Sequence, residues 1–237
     1  MLKVQNVTVV YPDKTKAVDN LSFYADKGEN IALIGSNGAG KTTLLLAIVG
    51  ILELFGGIIE INGIPLNKKT INEIRKQIGL VFQNPDDQLF MPFVFDDVAF
   101  GCRNLGLPEN EVGERVKESL ETLNISHLCD RSSLKLSGGE KRLAAVATVL
   151  AMRPAVLMFD EPTAFLDHQA RRAMIGALQK LSHTKIIVTH DMAFAAEVCS
   201  RVILLKNGSI AADGAVSLLY DKEILQKCGL EALRPII

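Results

Sequence analysis

One stretch of eight residues constrains the fold of this chain more than any other. Residues 35–42 read Gly-Ser-Asn-Gly-Ala-Gly-Lys-Thr and match the phosphate-binding pattern G-x-x-x-x-G-K-[ST] at every fixed position. The apolar residues 31–34 predict a buried strand before this stretch, and the apolar residues 43–49 predict a helix after it. Glycines in this setting let successive backbone N–H groups point at a polyphosphate, and the helix start adds its positive dipole end. The sequence therefore predicts a nucleotide-binding loop.

Several donors of this loop must act together to hold a nucleotide. A helix dipole contributes roughly 0.3–2 kcal/mol and a charge-assisted hydrogen bond about 1.5–3 kcal/mol, whereas micromolar binding needs about 8 kcal/mol. We expect Lys41 to contact the β- and γ-phosphates, the Thr42 hydroxyl to bind Mg²⁺, and backbone N–H groups to hold the phosphate oxygens. The predicted nucleotide-binding residues of this stretch are Gly35, Ser36, Asn37, Gly38, Ala39, Gly40, Lys41, Thr42 and Thr43.

The loop by itself does not define a function. Kinases, GTPases, helicases and transporters all use this pattern. A glycine-rich turn that binds nothing is the alternative interpretation, and it is disfavoured because every fixed position is matched between a strand and a helix. The rest of the chain must therefore decide among the classes of nucleotide-binding protein.

Composition argues against several of these classes. The chain has 237 residues, 48% of them apolar, and a formal net charge of −1, so it has ample material for a core but no electrostatic footprint for nucleic acid. The apolar stretch 143–152 is shorter than the roughly 20 residues of a spanning helix, and the alternation from Met1 onward leaves no room for a signal peptide. Four scattered cysteines predict neither a zinc site nor a disulfide framework. We therefore expect a cytosolic chain that reaches a membrane only through a partner.

Two carboxylates end the predicted buried strand that begins at residue 156. A charged pair at a strand end is often only a solvated turn. The ligands of parallel sheets gather at the carboxyl ends of the strands, and there we expect Asp160 to hold Mg²⁺ through water. We expect Glu161 to polarise the water that attacks the γ-phosphate, a role that contributes about 10²–10⁴ in rate. Glu161 is therefore the predicted catalytic base.

Three further side chains are candidates for the same site. Gln83 and His190 each end a predicted strand, where each residue taken alone is more simply a cap or a structural residue. Gln83 could nevertheless reach Mg²⁺ or the attacking water, and His190 could reach the γ-phosphate. Tyr11 stands before a turn in a chain that has three tyrosines and no tryptophan, so few residues are available to stack on an adenine ring. From the residues alone, the structural and functional interpretations of these three stay open.

A second helix start is predicted near the middle of the chain. Ser137 and Glu140 form an S-x-x-E capping box. Two glycines in a first helical turn cost roughly 0.8–1 kcal/mol each relative to alanine, which a cap alone does not require. They suit a backbone that something approaches closely, and a helix start with free N–H groups is a second anion site. The residues of this segment are Leu136, Ser137, Gly138, Gly139 and Glu140.

The remaining periodicity outlines the organisation of the chain. Residues 110–124 place apolar side chains on one helical face, so the region from about 85 to 145 is expected to be mainly helical. Asn62-Gly63 and Asn207-Gly208 each predict a tight hairpin. Leucines after residue 217 predict a short helical tail.

Taken in order, these motifs resemble the ATPase subunit of ABC transporters over essentially the whole chain. Residues 35–42 resemble its Walker A loop, residues 136–140 its LSGGQ signature and residues 156–161 its Walker B strand. Gln83 resembles the Q-loop glutamine and His190 the switch histidine. The resemblance implies that ATP and Mg²⁺ bind and that His190 is catalytic. It further implies that Tyr11 stacks on adenine, that Gln83 joins Thr42 and Asp160 at Mg²⁺, and that Asp167 belongs to the D-loop.

The resemblance also implies a fold. It is an α/β P-loop NTPase with a RecA-like core around a parallel sheet, an antiparallel β subdomain and an inserted α-helical subdomain. One nucleotide-binding domain is expected over residues 1–237, with the core and antiparallel strands at about 1–84 and 146–212. The helical subdomain is expected at about 85–145 and the tail at about 213–237.

Within the family, residues 82–90 and 97–101 resemble the energy-coupling-factor and cobalt/nickel type of importer ATPase. The chain departs from the family pattern at three positions. Glu140 replaces the commoner glutamine of the signature, Phe165 stands where a small residue is usual, and His168 follows Asp167 where proline is frequent. None of the three removes a group that ATP hydrolysis needs, although Phe165 bears on close packing between two copies.

An assembly follows from the same resemblance. Two ATPase domains, in a homodimer or a heterodimer with a related chain, are expected to face each other, and the signature helix of one is expected to complete the γ-phosphate site of the other. Integral membrane subunits would dock near the residues after Gln83, which places the chain peripherally on the cytoplasmic face of the cell membrane. The transported substrate would be a transition-metal ion or a vitamin.

The rival interpretation is a soluble ABC-type ATPase of DNA repair, chromosome organisation or translation. Such proteins carry coiled-coil insertions, zinc modules or tandem ATPase halves, and this sequence has none of them. A binder that never hydrolyses ATP is a third possibility, against which Glu161 and His190 argue. The transport function, without nucleic acid as a partner, is therefore the predicted one.

Overall fold

The apolar runs of the sequence form the strands and helices of a two-sheet fold, in a computed structural model that describes residues 1–233. The strands are β1 (Leu2–Val10), β2 (Lys16–Ala25), β3 (Asn30–Gly35), β4 (Gly56–Ile61), β5 (Ile64–Pro65), β6 (Ile78–Val81), β7 (Val156–Asp160), β8 (Thr184–Val188), β9 (Arg201–Lys206) and β10 (Ser209–Ala215). The α-helices are α1 (Lys41–Ile48), α2 (Ile71–Gln77), α3 (Val94–Asn104), α4 (Glu109–Thr122), α5 (Gly138–Leu150), α6 (His168–Lys180), α7 (Met192–Val198) and α8 (Lys222–Lys227). The last four residues of the predicted tail, 234–237, lie outside the described residues.

The larger sheet positions the site. Its strand order is β10-β9-β3-β8-β7-β6, and all neighbours pair in parallel except β9 and β10, which form the predicted hairpin. The carboxyl ends of β3, β6, β7 and β8 therefore meet at one edge of the sheet. The predicted parallel sheet of an α/β fold is confirmed.

The strands β3, β6, β7, β8 and β9 of this sheet are largely buried on both faces, which explains why their sequences are mainly apolar. The edge strand β10 has no buried residue. In β3, Ile31 and Leu33 pack into a core shared with the antiparallel sheet and α1. Ala32 and Ile34 point to the opposite face and pack into a core shared with the helical segment. Because successive side chains of a strand alternate, each strand interior contributes to two cores.

The smaller sheet is antiparallel, in the order β2-β1-β4-β5. The predicted hairpin at residues 62 and 63 joins β4 to β5, with Asn62 at φ 51° and Gly63 at φ 81°. Positive φ at both positions is the requirement of a type I′ turn. The nucleotide loop is thus flanked by antiparallel as well as parallel strands, as predicted.

Three helices fill the region between β6 and β7. Along α4, Val112, Val116 and Leu120 are buried, so the predicted amphipathic face packs inward. The helix α5 continues through the expected subdomain boundary at residue 145 to Leu150, because its apolar side chains keep packing in the same core. The helix therefore crosses the expected boundary without a break and ends before β7.

After β10, a short 3₁₀ turn at Val216–Tyr220 and α8 form the tail. Leu219 and Leu225 are buried and hold this tail on the larger core. Within residues 1–233, no helix combines the length and the hydrophobicity that crossing a membrane requires.

Candidate active site

The phosphate loop lies between the end of β3 and the start of α1, and each of its three glycines has a physical reason. Gly38 and Gly40 adopt positive φ angles of 78° and 98°, which side chains disfavour. A Cβ at Gly35 would lie 2.5 Å from the carbonyl oxygen of Leu205. A Cβ at Gly40 would collide with the carbonyl oxygen of Ala17. The loop therefore owes its shape to neighbouring strands as well as to its own sequence.

A seam between the two sheets lies directly behind the loop. The Gly208 N–H donates to Ala39 O (3.1 Å), and the Asp19 N–H donates to Gly208 O (2.9 Å). A Cβ at Gly208 would lie 2.8 Å from Ala17 O. We call these residues, 17–19, 39 and 208, the sheet seam. It ties β2, the loop and the β9–β10 hairpin together.

The ammonium group of Lys41 faces the loop and two carboxylates. Its Nζ donates to the carbonyl oxygens of Gly35 (2.7 Å) and Ser36 (3.0 Å). Burial lowers the pKa of Lys41 from its ordinary value, and the charges of Glu161 and Asp160 oppose that shift. The Lys41 ammonium is thus held at the opening of the loop, close to Asp160 and Glu161. A phosphate oxygen at this position would compete with the Gly35 and Ser36 carbonyls for the ammonium group.

Thr42 and Asp160 form an oxygen-rich pair beside Lys41. The Thr42 Oγ1 hydroxyl donates to Asp160 Oδ2 over 3.0 Å. The pKa of the Asp160 carboxyl is raised above its ordinary value, chiefly by burial and also by the nearby charge of Glu161. The hydrogen bond from Thr42 and the charge of Lys41 oppose this shift. Within residues 1–233, no cluster of three His, Cys, Asp or Glu side chains has the arrangement of a metal site. The hydroxyl and carboxylate oxygens do suit Mg²⁺, which takes few protein ligands and completes its shell with water and phosphate.

Glu161 and His190 form a close pair at the same sheet edge. The His190 Nδ1 atom lies 2.9 Å from Glu161 Oε2, and the His190 backbone N–H donates to the same oxygen over 3.3 Å. Glu161 is held at φ 49° while its backbone N–H donates to Val188 O. A left-handed glutamate is strained, and such strain clusters at functional sites. The pair fixes the direction of the buried carboxylate while the imidazole stays exposed.

Tyr11 follows β1 of the antiparallel sheet and contacts the first turn of α1. Its hydroxyl is 2.9 Å from the Thr43 Oγ1 atom, and its backbone closes a turn with Thr15. The hydroxyl end of the ring therefore lies against the first turn of α1, and Tyr11 lines the same cleft as the phosphate loop.

These residues line one cleft of about 770 Å³, a volume typical of small-molecule sites. It brings together most of the predicted site, namely Tyr11, Asn37, Gly38, Ala39, Gly40, Lys41, Thr42, Thr43, Gln83, Asp160, Glu161 and His190. Sequence reasoning missed other lining residues, which are Thr15, Lys16, Ala17, Val188, Asn207 and Gly208. Only Asn207-Gly208 had a local signal, that of a hairpin. Nothing local places that hairpin beside the loop.

The predicted signature segment opens onto a different cleft of about 480 Å³. The capping box is present, because Ser137 Oγ accepts from the Glu140 N–H (3.3 Å) and Glu140 Oε2 accepts from the Ser137 N–H (2.8 Å). Hydrogen bonds from the Ser137 backbone and side chain lower the pKa of the Glu140 carboxyl. The glutamate that replaces the usual glutamine therefore serves as a cap. Leu136 is buried in the core and anchors the segment.

The two signature glycines differ in surroundings. A Cβ at Gly139 would lie 2.6 Å from the Cβ of Ala170, whereas a Cβ at Gly138 would meet nothing within 4 Å. The close approach that was predicted for this backbone is therefore made at Gly139 by α6 of the same chain. Gly138 stays open toward the second cleft.

The loop before α6 borders the same cleft. Asp167 caps α6 by accepting from the Ala170 N–H (2.8 Å), and His168 takes the first helical position, where proline is also favoured. Phe165 stands at φ 62° with 97% of its surface exposed. A bulky residue at positive φ is uncommon, so in the single chain Phe165 is both strained and uncovered.

Comparisons with known proteins fit this geometry. The family model described as "ABC transporter" matches residues 18–164. A putative ABC transporter ATP-binding protein of Geobacter sulfurreducens is 47% identical over 237 residues, which cover 100% of this chain and 94% of that protein. An energy-coupling factor transporter ATP-binding protein, EcfA, of Carboxydothermus hydrogenoformans is 41% identical over 98% of this chain and 87% of its own.

Solved structures show the same fold. CbiO1 of Clostridium perfringens, described as part of the ABC transporter complex cbiONQ, superimposes with a TM-score of 0.86 at 38% identity and covers 95% of this chain and 93% of its own. The ATP-binding cassette MJ0796, in a dimeric post-hydrolysis state bound to ADP and Pi, superimposes with a TM-score of 0.81 at 26% identity over 91% of this chain and 99% of its own. Since the family model spans more than half of the chain and a relative aligns with all of it, the chain belongs to the ABC transporter family, as an ATP-binding subunit with ATPase activity.

Proposed function

We propose that this chain powers an importer of the energy-coupling-factor type, for a transition-metal ion or a vitamin, through ATP-driven closure of two ATPase subunits. The observation that carries the proposal is the separation of the two clefts. Lys41, Glu161 and His190 line one cleft, whereas the helix start at Ser137 opens onto the other. Two anion-binding helix starts can serve one nucleotide only if a second copy supplies one of them. Similarity to EcfA supports the importer type.

The residues of the first cleft divide the hydrolysis of ATP among them. Water attacks the γ-phosphorus, the bond to the β-bridging oxygen breaks, and Glu161 takes the proton of the water. His190 holds the Glu161 carboxylate from 2.9 Å and is exposed toward the γ-phosphate position. Lys41 exchanges its two carbonyl partners for the β- and γ-phosphates, and Tyr11 stacks on the adenine.

Mg²⁺ would be held by the Thr42 hydroxyl, by Asp160 through water and by Gln83. All three groups line the cleft, and Thr42 already contacts Asp160. When bound, the ion neutralises charge that develops on the β- and γ-oxygens.

The partners would be a second ATPase chain, identical or related, and integral membrane subunits. Phe90 and Phe93 are exposed in the segment that follows Gln83, and they offer an apolar docking surface to those subunits. This docking places the chain peripherally on the cytoplasmic face of the cell membrane, with no nucleic-acid partner.

Substitution of Glu161 tests the hydrolytic assignment. Glu161→Gln keeps the shape but removes the base, so kcat should fall about 10²-fold or more while ATP still binds and holds two copies together. Turnover by phosphate release and mass by light scattering measure the two effects. Lys41→Ala is the matched variant, in which ATP affinity itself should fall. Normal turnover by Glu161→Gln would refute the catalytic assignment.

Copurification tests transport against the soluble alternative. The tagged chain is expected to retain integral membrane subunits from a detergent extract and to retain no nucleic acid, and mass spectrometry of the intact complex also separates a homodimer from a heterodimer. Retention of nucleic acid without membrane subunits would favour the DNA-repair, chromosome or translation role.

A further inference from the structure

Arg142 is a buried arginine without a carboxylate partner. It lies on α5, one turn after Ser137, and only 3% of its surface is exposed. Among the residues that the structure describes, no acidic side chain forms a salt bridge with it, and its Nε atom makes no hydrogen bond. Burial lowers the pKa of the guanidinium. A buried unpaired charge is expensive, so its position needs an explanation.

All the partners of Arg142 are backbone carbonyls. Nη1 donates to Phe82 O (3.2 Å) and to Gln83 O, and Nη2 donates to Ala164 O (3.1 Å). The first two carbonyls flank the glutamine that follows β6. The third lies between Glu161 and Asp167, directly before the strained Phe165. One guanidinium therefore joins the signature helix to both loops.

Anchoring alone does not require this arrangement. The segment after Gln83 is already tied to α5, since Lys141 pairs with Asp86 (2.6 Å) and the Gln88 amide donates to Ala145 O (2.8 Å). Removal of Arg142 therefore leaves that segment attached to the helix. What Arg142 adds is the connection from the Gln83 carbonyl to the Ala164 carbonyl, which no other side chain makes in residues 1–233.

Arginine is the side chain best suited to that connection. Its planar guanidinium carries five donors in a fixed fork, whereas lysine presents one compact ammonium. Because the acceptors are carbonyls, the contact does not depend on the side chains of the two loops.

We propose that Arg142 is a positioning residue that makes the Gln83 loop and the Phe165–Asp167 loop move as one body with the signature helix. The proposal rests on the proposed function, because it gives these two loops their roles at the cleft and at the face between two copies. In this arrangement a displacement of Gln83 also displaces the Phe165–Asp167 loop and the start of α5, which face the second copy in the proposed dimer. None of the hydrogen bonds of Arg142 within residues 1–233 reaches the phosphate loop.

Hydrogen exchange of the full chain without nucleotide tests the connection directly. Arg142→Gln should speed exchange in peptides covering residues 82–88 and 161–167 together, and leave residues 36–43 unchanged. Arg153→Gln is the control, because within residues 1–233 it removes an exposed arginine whose single salt bridge is to Glu118. If Arg142→Gln does not fold, Arg142→Lys is used instead, because it keeps the positive charge. Exchange should then also be faster in both segments. Faster exchange in only one of the two segments, or in neither, would overturn the proposal.

Measurements of ATPase kinetics separate a positioning role of Arg142 from a purely structural role in stabilising the fold. Since misplacement by about 1 Å can cost about 10²-fold in rate, kcat of Arg142→Gln should fall by about that factor, while the dissociation constant for ATP stays within about threefold. An equal loss of ATP affinity and of kcat would contradict a positioning role. If the unaltered chain does not hydrolyse ATP, the proposed function fails, and the exchange arm still decides the role of Arg142.

Discussion

At the scale of single residues, the adjacent glycines of the signature have different roles. Gly139 allows α5 to approach Ala170 of the same chain, whereas Gly138 has open space in front of it. The sequence predicts that something approaches this backbone, but it does not tell a neighbouring helix from a ligand. The reason is that Ala170 is distant in the sequence and carries no signal of its own. The two glycines can therefore be separated by experiment.

Alanine substitution should have opposite effects at the two positions. Gly139→Ala places a methyl group against Ala170 and should destabilise the chain by about 1–3 kcal/mol. Gly138→Ala should stabilise it by about 0.5–1 kcal/mol, because alanine favours the helix. Denaturant unfolding measures both changes.

The same pair tests the second copy. If a partner's nucleotide lies against Gly138, Gly138→Ala should lower ATPase turnover although it stabilises the single chain. Full turnover by Gly138→Ala would argue against that contact, and Gly139→Ala serves as the control for a purely structural defect.

At the scale of secondary-structure elements, the polar residues at strand ends were the sequence feature that predicted residues of the candidate site. The ends of β7 and β8 bring Asp160, Glu161 and His190 to the edge where the phosphate loop follows β3, because parallel strands share a direction. Arg142 gave no such signal, since a charged residue two positions after Glu140 is typical of an exposed helix turn. Its burial depends on how α5 packs against the two loops, which no local pattern specifies. The catalytic roles themselves stay predictions.

The start of α5 should make stability depend on pH. Hydrogen bonds from Ser137 lower the pKa of Glu140 in the folded chain. The charged cap therefore contributes stability above the unfolded pKa of about 4.3, and this contribution is lost as the pH falls through the lower folded value. Glu140→Gln should cost about 0.5 kcal/mol at neutral pH and nothing in acid. Denaturant unfolding at neutral and acidic pH and low salt measures the difference.

Arg131 provides the control for this cap. Its Nη1 atom lies 3.6 Å from Glu140, so Arg131→Gln removes the ion pair but leaves the capping box. If Glu140→Gln costs the same at both pH values, the charge of Glu140 does not contribute to the cap.

At the scale of the whole molecule, the positions of the two cores and of the nucleotide cleft are all set by the larger sheet. The parallel sheet separates the cores, and its carboxyl edge carries the nucleotide cleft. The α/β fold was predictable because the buried strands are mainly apolar, although β8 also buries Thr184 and Lys185. The strand order was not, since it depends on long-range pairing. The second cleft is the surface that we propose a second copy of the ATPase subunit covers.

Nucleotide-dependent pairing should appear in thermal unfolding. For Glu161→Gln with ATP and Mg²⁺, the rise in Tm should grow when the protein concentration increases about tenfold, because mass action favours the paired state. With ADP the rise should not depend on protein concentration. Scanning calorimetry at both concentrations measures this, and a rise that is independent of concentration in ATP would contradict pairing.

The sheet seam has a consequence for how the chain is made. Gly208 can reach the phosphate loop only after the first 208 residues have been synthesised. Its N–H then donates to Ala39 O in the loop, and its backbone packs closely against Ala17. A nascent chain that ends before the last hairpin lacks this support. ATP is therefore expected to be captured only after that hairpin has left the ribosome, so the nucleotide cannot guide the early steps of folding during translation.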